Sequence, residues 1–168
     1  MASISNRIGG DIDMKIVALA GSFNPLHDGH KALIDKALSL PADMLQIGIM
    51  SSGYINKTKG IVPISEFSRT ISAVEYATNK HKMTIDFDIM NNIFWDILIN
   101  KDIAYLVVSD EKDYTEYITH VNGLRKYQGL NEIEIVIVQT IKDANGDKLS
   151  STNIRNGKIN EHGCRKVE

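Results

Sequence analysis

The sequence predicts an α/β domain built on a mostly parallel sheet, and three observations carry this. Five short apolar runs, at residues 16–20, 45–50, 83–87, 103–108 and 133–138, are rich in Ile and Val, as buried strands are. The segments between them repeat apolar residues at helical spacing. Strand–helix alternation of this kind belongs to parallel sheets covered by helices. In such sheets a ligand sits beyond the C-terminal strand ends, where the strand order reverses.

Each element has its own warrant. After the first run, residues 31–40 bring Ala32, Leu33, Ala37 and Leu38 toward one helix face. Residues 51–63 follow the second run; they are polar and contain glycine, so they read as a loop. In residues 65–80, Phe67, Ile71, Val74 and Ala77 share a face, and Ser65 is a capping start. Residues 113–129 form a third helix candidate with a weaker pattern and Gly123 as a candidate interruption.

Composition narrows the class. A chain of 168 residues argues for one domain, with 43% apolar and 24% charged residues, the usual globular mix. A net charge of −2 gives no field to draw in nucleic acid or an anionic membrane. The single cysteine, Cys164, excludes an internal disulfide and fits a reducing compartment. No apolar run spans a bilayer and no signal-peptide core is present, so a cytoplasmic protein is expected. Residues 1–13 read as a disordered extension or tag, 14–163 as the domain and 164–168 as a tail.

Two segments carry chemistry. The first is Gly21-Ser22-Phe23-Asn24-Pro25-Leu26-His27-Asp28-Gly29-His30. Gly21 lets the strand end turn closely, and the following helix start offers unpaired amides to phosphate. His27 and His30 lie three apart on one side of a helical turn, placed to stabilise charge in a transfer. A metal site is disfavoured, because no third His or Cys is near. The segment is neither a dinucleotide fingerprint nor a Walker loop. The second segment is Leu149-Ser150-Ser151-Thr152-Asn153-Ile154-Arg155. Its hydroxyls suit a helix cap or a phosphate, and Arg155 brings a forked cation. Standing alone, it reads more readily as a plain capped helix with a surface arginine.

Together these segments resemble the His-x-Gly-His and Ser-Ser/Thr-x-x-Ile-Arg signatures of the nucleotidylyltransferase superfamily. Val107-Val108-Ser109-Asp110-Glu111, then Asn122, Arg125, Gly129 and Leu130, are similar to the archaeal and eukaryotic type of phosphopantetheine adenylyltransferase. The likeness runs from about Met14 to Gly163. It implies a single Rossmann-like domain with a five-stranded parallel sheet. It also implies transfer of AMP from ATP to 4′-phosphopantetheine, with Mg2+ accompanying the ATP and no nucleic-acid or membrane partner. A monomer is the expected state.

The resemblance implies roles residue by residue. His27, His30, Lys57 and Arg155 would be catalytic, with Lys59 an alternative to Lys57. Gly21, Ser22, Phe23, Ser109, Asp110, Glu111, Ser150, Ser151 and Thr152 would join His27, His30 and Arg155 in binding ATP. Ser22, Lys57 and Arg125 would hold the acceptor. Arg69 is open between a family arginine and a surface residue. Asn24, Gly53 and Asn91-Asn92 depart from the type, so FMN, nicotinamide mononucleotide or glycerol phosphate as acceptor, or nucleotide binding without catalysis, remain as alternatives.

Overall fold

The computed structural model describes residues 13–92, 96–111 and 114–166. Twelve of the thirteen residues expected to form the N-terminal extension, and the last two of the chain, lie outside them. Five strands, β1 (Ile16–Gly21), β2 (Met44–Met50), β3 (Thr84–Met90), β4 (Ile103–Ser109) and β5 (Glu134–Val138), form one sheet in the order β3-β2-β1-β4-β5. Every pairing is parallel. This is the Rossmann-like architecture, and the order reverses at β1, between its neighbours β2 and β4.

Alternation along β1 explains why its run is continuously apolar. Val17 and Leu19 pack on one face with Ile34, Ala37 and Leu38 of α1 (Asp28–Leu38). That face also takes Ala73 and Ala77 of a helix at Glu66–Lys80. Ile16 and Ala18 point the other way, into a cluster with Ile97, Ile103, Val121 and Ile133. A strand buried on both faces has no polar side to show. Each large aliphatic side chain so buried stabilises the fold by about 1.5–3 kcal/mol before entropy is counted.

The expected loop at 51–63 is instead largely helical. α2 (Ser52–Lys59) starts where Ser51 Oγ accepts from the Tyr54 amide, and it ends at Gly60, whose φ of 64° is left-handed. Ile55 is its only buried residue, so there was no apolar period to read. The caps define this helix, and the Ser52 amide is also met by Glu66 Oε1 at 2.6 Å. The Glu66–Lys80 helix is α3, started by Ser65 Oγ accepting from the Ser68 amide. α4 (Thr115–Tyr127) runs through Gly123 without interruption. A five-residue helix, α5 (Ser151–Arg155), begins at the Ser150 cap. Beyond it Ile159 and Arg165 form an isolated antiparallel bridge.

Candidate active site

A cleft of about 270 Å³ opens at the C-terminal ends of β1, β2, β4 and β5. Its floor is Ala20, Gly21, Met50, Ser109 and Val138, the last residues of those strands. His27, Gly29, His30 and Leu33 enter from the start of α1, and residues 148–152 with Arg155 close the opposite wall. Ser22, Lys59, Glu111, Tyr114 and residues 139–141, the last of which follow β5, complete the lining.

The histidine pair is built by local sterics. The His27 and His30 rings stack with centroids 3.8 Å apart and 23° between planes. A Cβ on Gly29 would stand 3.0 Å from the His27 ring, so a side chain there would push the ring aside. Beneath them the buried ring of Phe23 lies 4.9 Å from that of His30. A Cβ on Gly21 would meet the Phe23 ring at 3.1 Å. The glycines of this segment therefore make room for its own rings.

Burial first, and the Lys148 ammonium next, push His27 down to about 4. His30 is pushed well below the usual imidazole range by burial, then by His27, Lys59 and Lys148. Both imidazoles are therefore neutral at pH 7. The Nδ1 atoms of both are buried without a hydrogen-bond partner among the described residues. Such orphaned polar atoms cost stability unless a ligand engages them.

The two sequence segments touch directly. Ser151 Oγ donates to the Pro25 carbonyl at 3.2 Å, and Arg155 Nη1 donates to the Asn24 carbonyl. Arg155 Nη2 reaches Thr152 Oγ1 at 3.2 Å. Asn24 in turn accepts the Ile64 amide on its Oδ1 at 2.9 Å, which ties the first loop to the entry of α3.

Of the residues expected here, the cleft gathers Gly21, Ser22, His27, His30, Ser109, Glu111, Ser150, Ser151, Thr152 and Arg155. It does not gather four others. Phe23 supports His30 from the core. Asp110 is exposed and accepts from the Thr140 amide and hydroxyl, which hold its carboxyl below the usual range. Lys57 points to solvent, and Lys59 lines the cleft instead. Two residues apart on a helix are about 200° apart in direction, so only one of them can face inward.

Arg125 is the largest correction. It is fully buried at the opposite end of the sheet, where its guanidinium donates to four backbone carbonyls: Ile97 at 2.6 Å, Asn131 at 2.8 Å, Asn100 at 2.9 Å and Ile103 at 3.3 Å. It cannot reach an acceptor in the cleft. Arg69 proves equally internal: it donates to the carbonyls of Ser22, Met50 and Ile64 and to Ser52 Oγ. It thereby fixes the ends of β1 and β2 relative to each other, a role its exposed helical neighbours hid.

Sequence reasoning missed Lys148, Tyr114 and the stretch 139–141. Lys148 stands immediately before the second segment, and residues 139–141 follow a strand at its C-terminal end. Both positions carried a signal.

The family model for cytidylyltransferase-like proteins matches residues 18–157, which hold both segments and all five strand ends. The chain belongs to the cytidylyltransferase-like family. It is thus a nucleotidyltransferase by descent. Among curated relatives in the family, a phosphopantetheine adenylyltransferase of Methanosarcina acetivorans is 32% identical, over 92% of this chain and 98% of its own length. The protein of the same name from Archaeoglobus fulgidus is 32% identical over 88% and 97%. A solved structure of an Archaeoglobus fulgidus protein of unknown function matches with TM-score 0.63 and 34% identity, over 74% of this chain and 89% of that one. A pantoate-beta-alanine ligase from Francisella tularensis, 16% identical with TM-score 0.55 over 86% of this chain and 66% of its own, shares the fold alone.

Proposed function

We propose that this protein transfers AMP from ATP to 4′-phosphopantetheine, giving dephospho-coenzyme A and pyrophosphate. One observation carries the reading. Neutral His27 and His30, Lys59, Arg155 and the hydroxyls of residues 150–152 converge on one cleft at the switch point. The chain around that cleft matches, along almost its whole length, relatives named phosphopantetheine adenylyltransferase.

The chemistry is direct displacement. A phosphate oxygen of the acceptor attacks the α-phosphorus of ATP. The bond to the α–β bridging oxygen breaks, and pyrophosphate leaves with the electron pair. The acceptor phosphate is already ionised at neutral pH, so no base has to remove a proton. Catalysis then rests on positioning and on stabilising charge as it builds on the departing oxygens. Each neutral imidazole retains one N–H to donate to those oxygens. Lys59 and Arg155 add fixed positive charge.

Magnesium would travel with the nucleotide and neutralise charge on the departing pyrophosphate. Among the described residues no cluster of three His, Cys, Asp or Glu could cage a metal. Among the described residues the cleft's single lining carboxylate, Glu111, is engaged by Lys148. Those donors fit an ion that keeps its waters and binds phosphate oxygens.

The test is pyrophosphate release from ATP, magnesium and 4′-phosphopantetheine. Wild-type protein should turn over, and His30→Ala or Arg155→Ala should lower kcat by about 100-fold or more, the usual loss of a transition-state donor. Release only with FMN, nicotinamide mononucleotide or glycerol phosphate would reject the acceptor. ATP binding with no turnover on any acceptor would reject catalysis.

A further inference from the structure

Glu111 and Lys148 form an ion pair inside the cleft. Glu111 follows β4, while Lys148 is held by a backbone bridge to Lys142 and stands two residues before the Ser150 cap. The pair therefore joins the β4 end to the wall that carries the second segment. Its side chains keep 33% and 44% of their exposure, so the pair contributes little to folding. Its position matters more. The Lys148 charge bears on both His27 and His30, and that of Glu111 bears on His27. A carboxylate in a cleft made for a polyanion opposes binding, unless a cation that can change partners covers it.

We propose that Lys148 is a phosphate-binding residue of the transfer, parked on Glu111 in the free enzyme and handed to the triphosphate when ATP enters. Glu111 competes for the same ammonium and so sets how tightly nucleotide and pyrophosphate are retained. The proposal rests on the nucleotidyl-transfer reading and deepens it. Lys148 is anchored by main-chain contacts and has a flexible stem, so it can swing without moving the strand ends.

Calorimetry of ATP and AMP binding, without acceptor and with magnesium-free arms, tests it. Lys148→Met keeps the stem and should weaken ATP about tenfold, the worth of one charge-assisted hydrogen bond. Glu111→Gln frees the ammonium and should tighten ATP about threefold, since a competing charge is removed. AMP, which lacks the outer phosphates, should shift less than about twofold in either variant. Lys148→Arg should restore most of the ATP affinity, and thermal melts identify any variant that fails to fold. The opposite signs are decisive. A purely structural pair would make both variants worse together, and that result overturns the proposal. So would unchanged ATP affinity in Lys148→Met, or weakened AMP in Glu111→Gln. These readouts are binding alone, so they stand or fall separately from the identity of the acceptor.

Discussion

Replacing Arg125 should nearly unfold the protein without touching its chemistry. The guanidinium is fully buried and is the shared donor for four carbonyls, contributed by residues 97, 100, 103 and 131. Among the described residues no carboxylate pairs with it; the contacts that hold its charge are to peptide carbonyls. Each hydrogen bond to a charged group contributes about 1.5–3 kcal/mol net, and an orphaned buried carbonyl costs about 1–3 kcal/mol. Water reaches part of the gap in Arg125→Met, so the expected loss is roughly 4–6 kcal/mol rather than the full sum. A domain of this kind has only about 5–15 kcal/mol in total. Arg125→Lys supplies one donor head for four acceptors and should recover less than half of the loss. Urea unfolding measures the loss through a lowered midpoint at unchanged slope. The cleft lies at the other end of β4, roughly 20 Å away for its strand length. Acceptor KM per folded molecule should therefore stay at the wild-type value. An Arg125→Met protein within about 1 kcal/mol of wild type, or one of normal stability whose acceptor KM rises, would refute the assignment of this arginine to the scaffold.

Two further outcomes follow from the cleft. Lys59→Ala should lower kcat/KM by about tenfold or more, whereas Lys57→Ala should leave it within about twofold; steady-state kinetics of the two variants separate the roles. Stability should fall as pH drops from 6.5 toward 4. The unfolded chain takes up the His27 proton near the ordinary value, while the folded chain resists until about 4, so the contribution is complete above 6.5 and lost below it. His27→Gln should flatten that part of the pH–stability curve in thermal melts.

Some of this is legible in the sequence alone. The strand runs at 16–20, 45–50 and 103–108 match β1, β2 and β4 to within a residue at each end, because strands buried on both faces have no polar alternation to blur them. α2 was hidden for the converse reason: a helix that buries one residue has no period. Among the site residues, His27, His30 and Arg155 stood in compact motifs whose spacing alone fixes their neighbourhood. Arg69 and Arg125 sat in amphipathic helices among exposed residues, where a buried arginine looks like any surface one. What separates them is a set of carbonyls, from residues 97–103 and 131 around Arg125 and from residues 22, 50 and 64 around Arg69, most of them too far along the chain for a local pattern to encode.

By itself the sequence determined the α/β alternation, the two phosphate-type segments and the family they belong to. These depend on residue types at short spacing, and short spacing is fixed by the geometry of strands and helix turns. Tertiary structure decided which cations stand at the cleft. It set Lys59 on the cleft lining and Lys57 away from it, drew Arg125 into the scaffold, and set Lys148 against Glu111 inside the cleft. The reason is physical. A charged side chain takes its role from the dipoles and charges within a few ångströms of it. Here those neighbours come from strand ends and loops that only the folded sheet brings together.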